Sequence, residues 1–267
     1  MITSRWRERM ITSRWGAEMI ATLRACLLAL NLVVSTTVFG GIVILSALLR
    51  LKDHPRSPYA WCPKYWGRSL LWVGGARVVE HDVHHKLGAQ HIFVANHLSN
   101  FDVFALAGYL PWIKFVAKAE VFRVPLLGPA MTRAGMIPVE RANRKSAFAS
   151  YAEASERIKR GASVGVYPEG TRGDAYPLRS FKKGPFVLAI QMQAPVVPVL
   201  VYGALERQRK GEFKVYPGTI HMHYLPAIPT TGLGYGDRDE LARKAYESMA
   251  ACLQREYGIA SPPFRGG

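Results

Sequence analysis

Residues 25–49 constrain the fold more than any other segment, because none of them is charged and most are apolar. A helix of about 20 such residues can cross the hydrocarbon core of a bilayer. Polar and small residues interrupt the run at 35–37 and 40–41, and basic residues flank both of its ends. Since Lys and Arg favour the cytoplasmic side of a membrane, two basic flanks favour a segment whose ends lie on one face. The sequence therefore predicts a membrane-embedded helical segment over 25–52. It is either a re-entrant hairpin broken near 35–41, which we favour, or a single tilted span.

Residues 1–24 form a basic segment ahead of this run, and the hexapeptide MITSRW at 1–6 recurs at 10–15. The repeat matches no structural period, so we interpret it as a duplicated start. A cleaved signal peptide explains the apolar run less well, because its hydrophobic region usually spans only about 7–15 residues before a small-residue cleavage site. We therefore expect a membrane-bound protein.

The charge and hydrophobicity of the chain limit the classes of protein to which it can belong. The net charge is +16, from 35 Lys and Arg against 19 Asp and Glu, and 49% of the residues are hydrophobic. This hydrophobicity excludes an intrinsically disordered chain. The surplus of positive charge indicates an anionic partner, with nucleic acid, anionic lipid and an acidic or phosphorylated substrate all open at this point. Cys26, Cys62 and Cys252 are too few and too widely spaced for a disulfide framework or a zinc knuckle.

After residue 66 the pattern changes to short apolar runs separated by helical patterns. This alternation predicts an α/β fold, with a single sheet covered by helices in one domain over 53–267. Helical periodicity is best at 144–160 and 238–257, where the second segment has Leu241, Ala245, Met249 and Leu253 at near-helical spacing. The predicted strands are 77–79, 91–95, 113–116, 136–139, 163–167, 196–201 and 219–223.

The segment NHLSNFD (96–102) directly follows a predicted strand. Ligand sites in α/β proteins gather at the carboxyl ends of strands. His97 and Asp102 are five residues apart, a spacing that allows a carboxylate–imidazole hydrogen bond at a helix start. Such a bond fixes the tautomer of the ring, raises its basicity and leaves the other nitrogen free to take a proton. The alternative is a helix N-terminus capped by Ser99 or Asn100, with His97 merely exposed.

The segment YPEGTR (167–172) follows another predicted strand, and its Pro and Gly predict a tight, exposed loop. Arg172 can bind a phosphate bidentately, and Gly170 allows backbone N–H groups to approach an anion. A turn with a local ion pair between Glu169 and Arg172 is an equally good interpretation. Two further strand segments belong to the same pattern: GMIPVER (135–141) delivers Arg141, and VVPVLV (196–201) predicts a buried wall of the site.

Taken in this order, NHLSNFD, GMIPVER, YPEGTR and VVPVLV resemble the four sequence blocks of the glycerolipid acyltransferases. The likeness is greatest to the 1-acylglycerol-3-phosphate (lysophosphatidate) acyltransferases and covers roughly residues 60–225. AKAEVFRVPLLG (117–128) is similar to the stretch in which the family has a phosphate-binding lysine, here Lys118. The second block departs from the family's usual Phe-Ile-Asp-Arg but retains Arg141. Family members often have an N-terminal two-helix membrane element, which agrees with the hairpin prediction.

The resemblance implies an acyltransferase domain over 53–267. It would move a fatty acyl group from acyl carrier protein or coenzyme A to the 2-hydroxyl of lysophosphatidate, forming phosphatidate. No cofactor beyond the acyl thioester and no metal is implied. Anionic membrane lipids are the further partners that the positive charge implies, at a membrane of the bacterial inner-membrane type with the catalytic domain on the cytoplasmic face. The implied site residues are His97 as general base, Asp102 as its orienting carboxylate, Lys118, Arg172 and Arg141 on the substrate phosphate, and Glu169, Gly170 and Thr171 in the site loop.

Three alternatives remain open. Related enzymes acylate other lysophospholipids, glycerol 3-phosphate or lyso-ornithine lipids, and the four blocks do not separate these acceptors. A metal hydrolase is the second alternative, because His81, His84, His85 and His91 precede His97, but no motif such as HExxH accompanies them and a solvated loop is favoured. The third is a membrane-bound basic binding protein without catalysis. Nucleic acid is disfavoured as its partner, because the basic clusters lie in no recognisable nucleic-acid-binding motif.

Overall fold

The computed structural model describes residues 2–88, 90–140 and 161–266, with side chains from residue 15 onward. Within these ranges seven strands form one sheet with helices on both faces, which confirms the predicted α/β class. Every strand overlaps one of the predicted apolar runs. The strands are β1 (Ala76–His81), β2 (Ile92–Ala95), β3 (Ile113–Lys118), β4 (Ile137–Val139), β5 (Ser163–Val166), β6 (Val196–Tyr202) and β7 (Gly218–Tyr224). The α-helices are α1 (Ile2–Leu48), α2 (Pro58–Val73), α3 (Asn100–Tyr109), α4 (Leu127–Arg133), α5 (Gly184–Met192) and α6 (Arg238–Tyr257).

The strand order of the sheet is β1-β7-β6-β2-β5-β3-β4. The β6–β7 pair is antiparallel and the other neighbouring pairs are parallel. Strand β2 lies in the middle of the sheet, and all four of its residues are buried, as expected for a parallel strand covered on both faces. The residues that follow β2 therefore emerge at the centre of the carboxyl edge.

The core lies on both faces of the sheet. Successive side chains of a strand point to opposite faces, so Phe93 joins the cluster that contains residues of α1 to α4, whereas Ile92 joins the cluster with α5 and α6. Gly165 of β5 is required by close packing, because a Cβ atom there would lie 2.6 Å from Ile113 Cδ1 and 3.0 Å from the Phe115 ring.

Helix α6 has the bounds that its periodicity predicts. Its apolar positions Leu241, Ala245, Met249 and Leu253 are all buried. The helix ends at Gly258, which takes the left-handed conformation (φ +68°) common just after a helix C-terminus. The helix predicted over 144–160 lies outside the described residues.

The predicted hairpin break near residues 35–41 is wrong, because α1 continues through it without interruption. Two of the polar residues that suggested a break, Thr36 and Thr37, have partners within or beside the helix. Thr37 Oγ1 donates to Val33 O at 2.8 Å, and Trp66 Nε1 of α2 donates to Thr36 Oγ1 at 3.0 Å. Polar side chains whose hydrogen bonds are made in this way do not end a helix.

The glycine at position 40 has a packing role rather than a turn role. A Cβ atom at Gly40 would lie 3.2 Å from Ala130 Cβ, so α1 and α4 approach closely there. The apolar segment is therefore a single helix, and the helix that follows it in the chain and packs against it is α2.

Of the helices in the described ranges, the one over Trp15–Leu48 is long and apolar enough to cross a membrane, judged by length and composition. One face of this helix packs on the rest of the molecule and buries Ala21, Ala25, Leu28 and Val43. The opposite face leaves large apolar side chains exposed. They include Met19, Leu23, Leu27, Leu30, Val33, Val34, Val38 and Leu45.

Candidate active site

Asn96 holds the carboxyl end of β2 against β6. Its Nδ2 donates to Val201 O at 2.9 Å, and Val201 N donates to Asn96 Oδ1 at 2.7 Å. The side chain is buried, so these two hydrogen bonds are shielded from water. The next residue, His97, therefore starts from a fixed position.

His97 and Asp102 form a hydrogen-bonded pair, with Nδ1 and Oδ2 3.1 Å apart. Asp102 is completely buried, and the same Oδ2 accepts hydrogen bonds from Leu98 N at 2.6 Å and Ser99 N at 2.8 Å. Because donors converge on this oxygen, His97 Nδ1 carries the proton and Nε2 has the free lone pair. Nε2 makes no hydrogen bond to any described residue.

The structure shows both features that the sequence suggested for this segment: Ser99 caps α3, and Asp102 pairs with His97. Ser99 is the N-cap of α3: its Oγ accepts from Phe101 N at 3.3 Å, and Asp102 completes a capping box. Ser99 Oγ also donates to Gln208 O at 2.7 Å. The carboxylate that orients His97 is thus part of the helix N-terminus, and its position is set by the helix.

The loop after β5 supports the His97 backbone. Glu169 is buried, and its Oε1 accepts from His97 N at 3.3 Å. Burial raises the pKa of Glu169 to about 8. Gly170 adopts φ +77°, which favours glycine, and Gly173 N donates to His97 O at 2.8 Å. The alternative of a local ion pair is not realised, because no ion pair joins Glu169 to Arg172 among the described side chains.

Two of the three predicted phosphate-binding residues, Arg172 and Lys118, lie near this pair. Arg172 Nη1 donates to Asn100 Oδ1 at 3.0 Å, which places the guanidinium at the first residue of α3. Lys118 ends β3, and its half-exposed side chain pairs with a neighbouring glutamate at 2.9 Å. Thr171 is exposed. Arg141 lies outside the described residues.

An apolar cavity of about 420 Å³ adjoins His97. Side chains of α1, α2, α3, β3 and α4 line it, among them Phe39 and Phe104. His97, Asn100 and Lys118 are polar residues in the same lining. A cavity with this composition fits a hydrocarbon chain whose reacting end lies at the imidazole.

Two contributors to the site were not predicted from the sequence. The Tyr167 ring stacks on the His97 imidazole with centroids 4.1 Å apart and planes inclined by 19°. Tyr167 directly follows β5 and is close in sequence to Glu169, and this position could have predicted that its ring lies at the site. The second contributor is α1, which supplies one wall of the cavity through residues 32–43. No local pattern in an apolar helix distinguishes a face that lines a substrate cavity from one that meets lipid.

The histidines at 81–91 do not gather at one point. His81 Nε2 lies 3.0 Å from His221 Nδ1 of β7, whereas His91 packs against Phe93. In the part of the chain that the structure describes, no group of three or more His, Cys, Asp or Glu residues is arranged to hold a metal ion.

The part of the chain that contains this site matches a known protein family. Residues 76–202 match the family model described as Acyltransferase, and this range contains His97, Asp102 and Arg172. These residues therefore form a domain of this acyltransferase family.

Within the family the chain is similar to proteins named 1-acyl-sn-glycerol-3-phosphate acyltransferase. The relative from Limnanthes douglasii is 37% identical over 167 residues, which is 61% of this chain and 59% of the relative. The human alpha form is 32% identical over 183 residues, 67% of this chain and 65% of the relative. The chain thus spans about three fifths of the length of the curated relatives it matches.

A solved structure shares the fold across nearly the whole chain. It is the 1-acyl-sn-glycerophosphate (LPA) acyltransferase PlsC from Thermotoga maritima, with a TM-score of 0.74 and 23% identity, covering 93% of this chain and 100% of that one. At this identity the likeness is evidence for the fold.

Proposed function

We propose that this protein transfers a fatty acyl group from a thioester of acyl carrier protein or coenzyme A to the 2-hydroxyl of 1-acylglycerol 3-phosphate, giving phosphatidate. The observation that carries the proposal is the His97–Asp102 pair beside an apolar cavity at the carboxyl edge of the sheet. We infer the acceptor, 1-acylglycerol 3-phosphate, from the names of the relatives.

The chemistry requires one proton acceptor and no covalent enzyme intermediate. His97 Nε2 takes the proton of the acceptor hydroxyl as its oxygen attacks the thioester carbonyl carbon. The C–S bond then breaks, the acyl group remains on the acceptor as an ester, and the thiolate takes the proton from the imidazolium. Asp102 holds the tautomer and stabilises the imidazolium. Ser99 Oγ already donates to Gln208 O, which suits a cap rather than a nucleophile.

Cationic side chains near the pair would hold the acceptor phosphate. Arg172 reaches the first residue of α3 and Lys118 lines the cavity. A guanidinium and an ammonium suit a phosphate because each donates charge-assisted hydrogen bonds. Arg141 is proposed as a third contact only because it belongs to the second block of the family resemblance.

The cavity would receive a fatty acyl chain. Its lining is mostly apolar, and α1 forms a wall of it. Burying one methylene stabilises a complex by about 0.8 kcal/mol, so a long chain in this cavity contributes much of the binding energy.

The protein would act at a membrane surface, held there by α1. The outward face of that helix exposes apolar side chains along its length, including Leu27 at 49% and Leu30 at 61% exposure. The connection between β6 and β7 packs against the buried face of α1, where Val215 N donates to Ala21 O at 3.2 Å, and it carries a further exposed apolar side chain, Phe213, at 56% exposure. The net charge of +16 favours an anionic leaflet. A cytoplasmic-face location at a bacterial-type inner membrane remains part of this proposal.

The test is an acyl-transfer assay with purified protein and a panel of substrates. Labelled acyl carrier protein and coenzyme A thioesters are offered with lysophosphatidate, other lysophospholipids, lyso-ornithine lipid and glycerol 3-phosphate, and products are resolved by mass. We expect phosphatidate as the main product. Preference for another acceptor would overturn the substrate assignment, and no transfer from any donor would favour a non-catalytic binding protein.

A further inference from the structure

His97 is held by three contacts, two to its imidazole and one to its backbone. Asp102 accepts from its Nδ1 edge, Glu169 accepts from its backbone N–H, and the ring of Tyr167 covers one face. The side chain of His97 is 13% exposed, and it lines the cavity. The stack therefore leaves Nε2 as the ring atom available to a substrate.

We propose that Tyr167 is a positioning residue for the general base. Its ring fixes the plane of the His97 imidazole, and its π face stabilises the imidazolium that forms when Nε2 accepts a proton. The inference rests on the proposed function, because it assigns Tyr167 a part in the same proton transfer.

The geometry meets the requirement of a cation–π contact. A cation within about 6 Å of an aromatic centroid is attracted by the negative face of the ring, and the two centroids here are 4.1 Å apart. The contact is mostly desolvated, since Tyr167 is buried. Asp102 acts in the ring plane and Tyr167 acts perpendicular to it, so the two interactions stabilise the same cation without competing.

The hydroxyl group of Tyr167 is not required for this role. It has no hydrogen-bond partner among the described residues. Burial, and secondarily the charge of Asp102, raise the pKa of this phenol well above its ordinary value, so the group stays neutral and takes no part as a base. The inference therefore concerns the ring, and phenylalanine should replace it.

Other titratable or charged groups near His97 are left in place by substitution of the ring. They are Asp102, which accepts from the imidazole, Glu169, which accepts from the His97 backbone N–H, Arg172, which donates to Asn100, and Lys118, which lines the same cavity. A change in the titration of His97 on removing the ring can thus be assigned to the stack.

The experiment measures pH profiles of kcat/KM for Tyr167→Phe and Tyr167→Leu. The phenylalanine variant keeps the stack, so we expect its plateau and its acid limb to match the wild-type protein. The leucine variant fills much of the space without a π face. We expect its plateau to fall about 2- to 30-fold and its acid limb to move to lower pH by about half a unit or more.

Tyr202→Leu is the matched control. It removes a ring from a different stack, in which Tyr202 lies 3.6 Å from Tyr257 and 4.3 Å from Tyr176 by centroids. We expect Tyr202→Leu to lose about as much stability as Tyr167→Leu, but the acid limb of its pH profile should not shift. NMR titration of the labelled His97 ring gives the same comparison without turnover, and it applies even if the leucine variant is inactive.

The outcomes separate this inference from the proposed function. If His97→Ala abolishes transfer but Tyr167→Leu leaves the acid limb and the ring titration unchanged, the stacking role is wrong and the general base stands. If His97→Ala retains activity, the general base is wrong and both proposals fail. Loss of activity in Tyr167→Phe equal to that in Tyr167→Leu would assign the function to the hydroxyl and overturn the ring argument.

Discussion

Asp53, in the segment that leaves α1, forms an ion pair with Lys114 of β3, with Oδ2 and Nζ 2.7 Å apart. Lys114 is buried, and it also donates to Ala134 O at 2.7 Å. Burial lowers the pKa of Lys114, while Asp53 favours its charged form. Trp112 Nε1 donates to Asp53 Oδ1 at 2.7 Å. This contact joins the end of the N-terminal helix to the sheet.

Replacing Asp53 should therefore destabilise the whole fold. Asp53→Asn leaves a buried ammonium without its counter-ion, which costs about 3 kcal/mol, and thermal unfolding in detergent should show a clear drop in Tm. Adding Lys114→Met removes the stranded charge and should restore much of the loss. Glu240→Gln, which breaks an exposed pair with Arg243, is the control and should change Tm little, because solvent screens exposed ion pairs. A drop no larger than in this control would contradict the role of the ion pair.

Removing the general base should abolish most of the transfer. His97→Ala and Asp102→Asn should each lower kcat/KM about 10²- to 10⁴-fold, because proton transfer loses its base in one and the correct tautomer in the other. Asparagine is preferred to alanine at 102, since it can still accept the backbone hydrogen bonds that cap α3. His84→Ala, at an exposed position, is the control and should keep full activity. Wild-type rates in His97→Ala would sink the mechanism.

Arg172 should matter only for acceptors that carry a phosphate. Arg172→Ala removes a charge-assisted contact worth about 1.5–3 kcal/mol, so kcat/KM for lysophosphatidate should fall about 10- to 100-fold. Transfer to monoacylglycerol, which lacks the phosphate, should change little. Arg243→Ala on the exposed face of α6 should leave both acceptors unaffected. An equal loss on the two acceptors would count against phosphate binding by Arg172.

The buried carboxyl of Glu169 should give stability a measurable pH dependence. Its folded-state pKa is raised to about 8 by burial, above the ordinary value of 4.5, so the folded protein must bind a proton that the unfolded chain releases. This contribution is fully present below about pH 4.5 and is lost as the pH rises towards 8. Glu169→Gln cannot ionise, so its advantage over the wild type in free energy of unfolding should grow across that window to a few kcal/mol, and the difference in Tm should grow with it.

Activity should survive this substitution, because glutamine can still accept from His97 N. Glu212→Gln, at an exposed position, is the control and should give a Tm difference that is flat with pH. A flat difference for Glu169→Gln as well would show that the carboxyl ionises freely in the folded protein.

Membrane binding should depend on the outward face of α1. Deleting residues 1–52 is a poor test, because it would also remove a wall of the substrate cavity. The triple variant Leu23→Ser, Leu27→Ser and Leu30→Ser changes only exposed positions. It should weaken sedimentation with anionic vesicles by at least about 100-fold, since each buried leucine contributes about 1.5–3 kcal/mol.

The control for this experiment is Leu87→Ser, an exposed leucine between β1 and β2. It should leave vesicle binding unchanged. Raising the salt concentration should weaken surface docking of the basic domain without releasing α1. Unchanged sedimentation of the triple variant would mean that another surface holds the protein at the membrane.

Local sequence patterns alone predicted much of the secondary structure of this protein. Short apolar runs predicted each strand that the described residues form, and near-helical spacing predicted α6, because the periodicity of burial can be read from consecutive residues. The pairing of His97 with Asp102 was also foreseeable, since five residues at a helix start can bring the two side chains together. The continuity of α1 was not foreseeable, because Thr36 and Gly40 are explained by partners in α2 and α4 rather than by their neighbours in the chain.

Only the tertiary structure decided what surrounds the base. Glu169 is 72 residues from His97 in sequence and Gln208 is 109 from Ser99, yet the order β6-β2-β5 brings them into hydrogen-bond contact. The same order places the Tyr167 ring on the imidazole. Strand order depends on how the helices cover both faces of the sheet, a global balance of burial that no local window contains. The pair that we propose to take and hold a proton, His97 and Asp102, was therefore visible in the sequence, whereas its surroundings and the cavity wall from α1 arise from the packed fold.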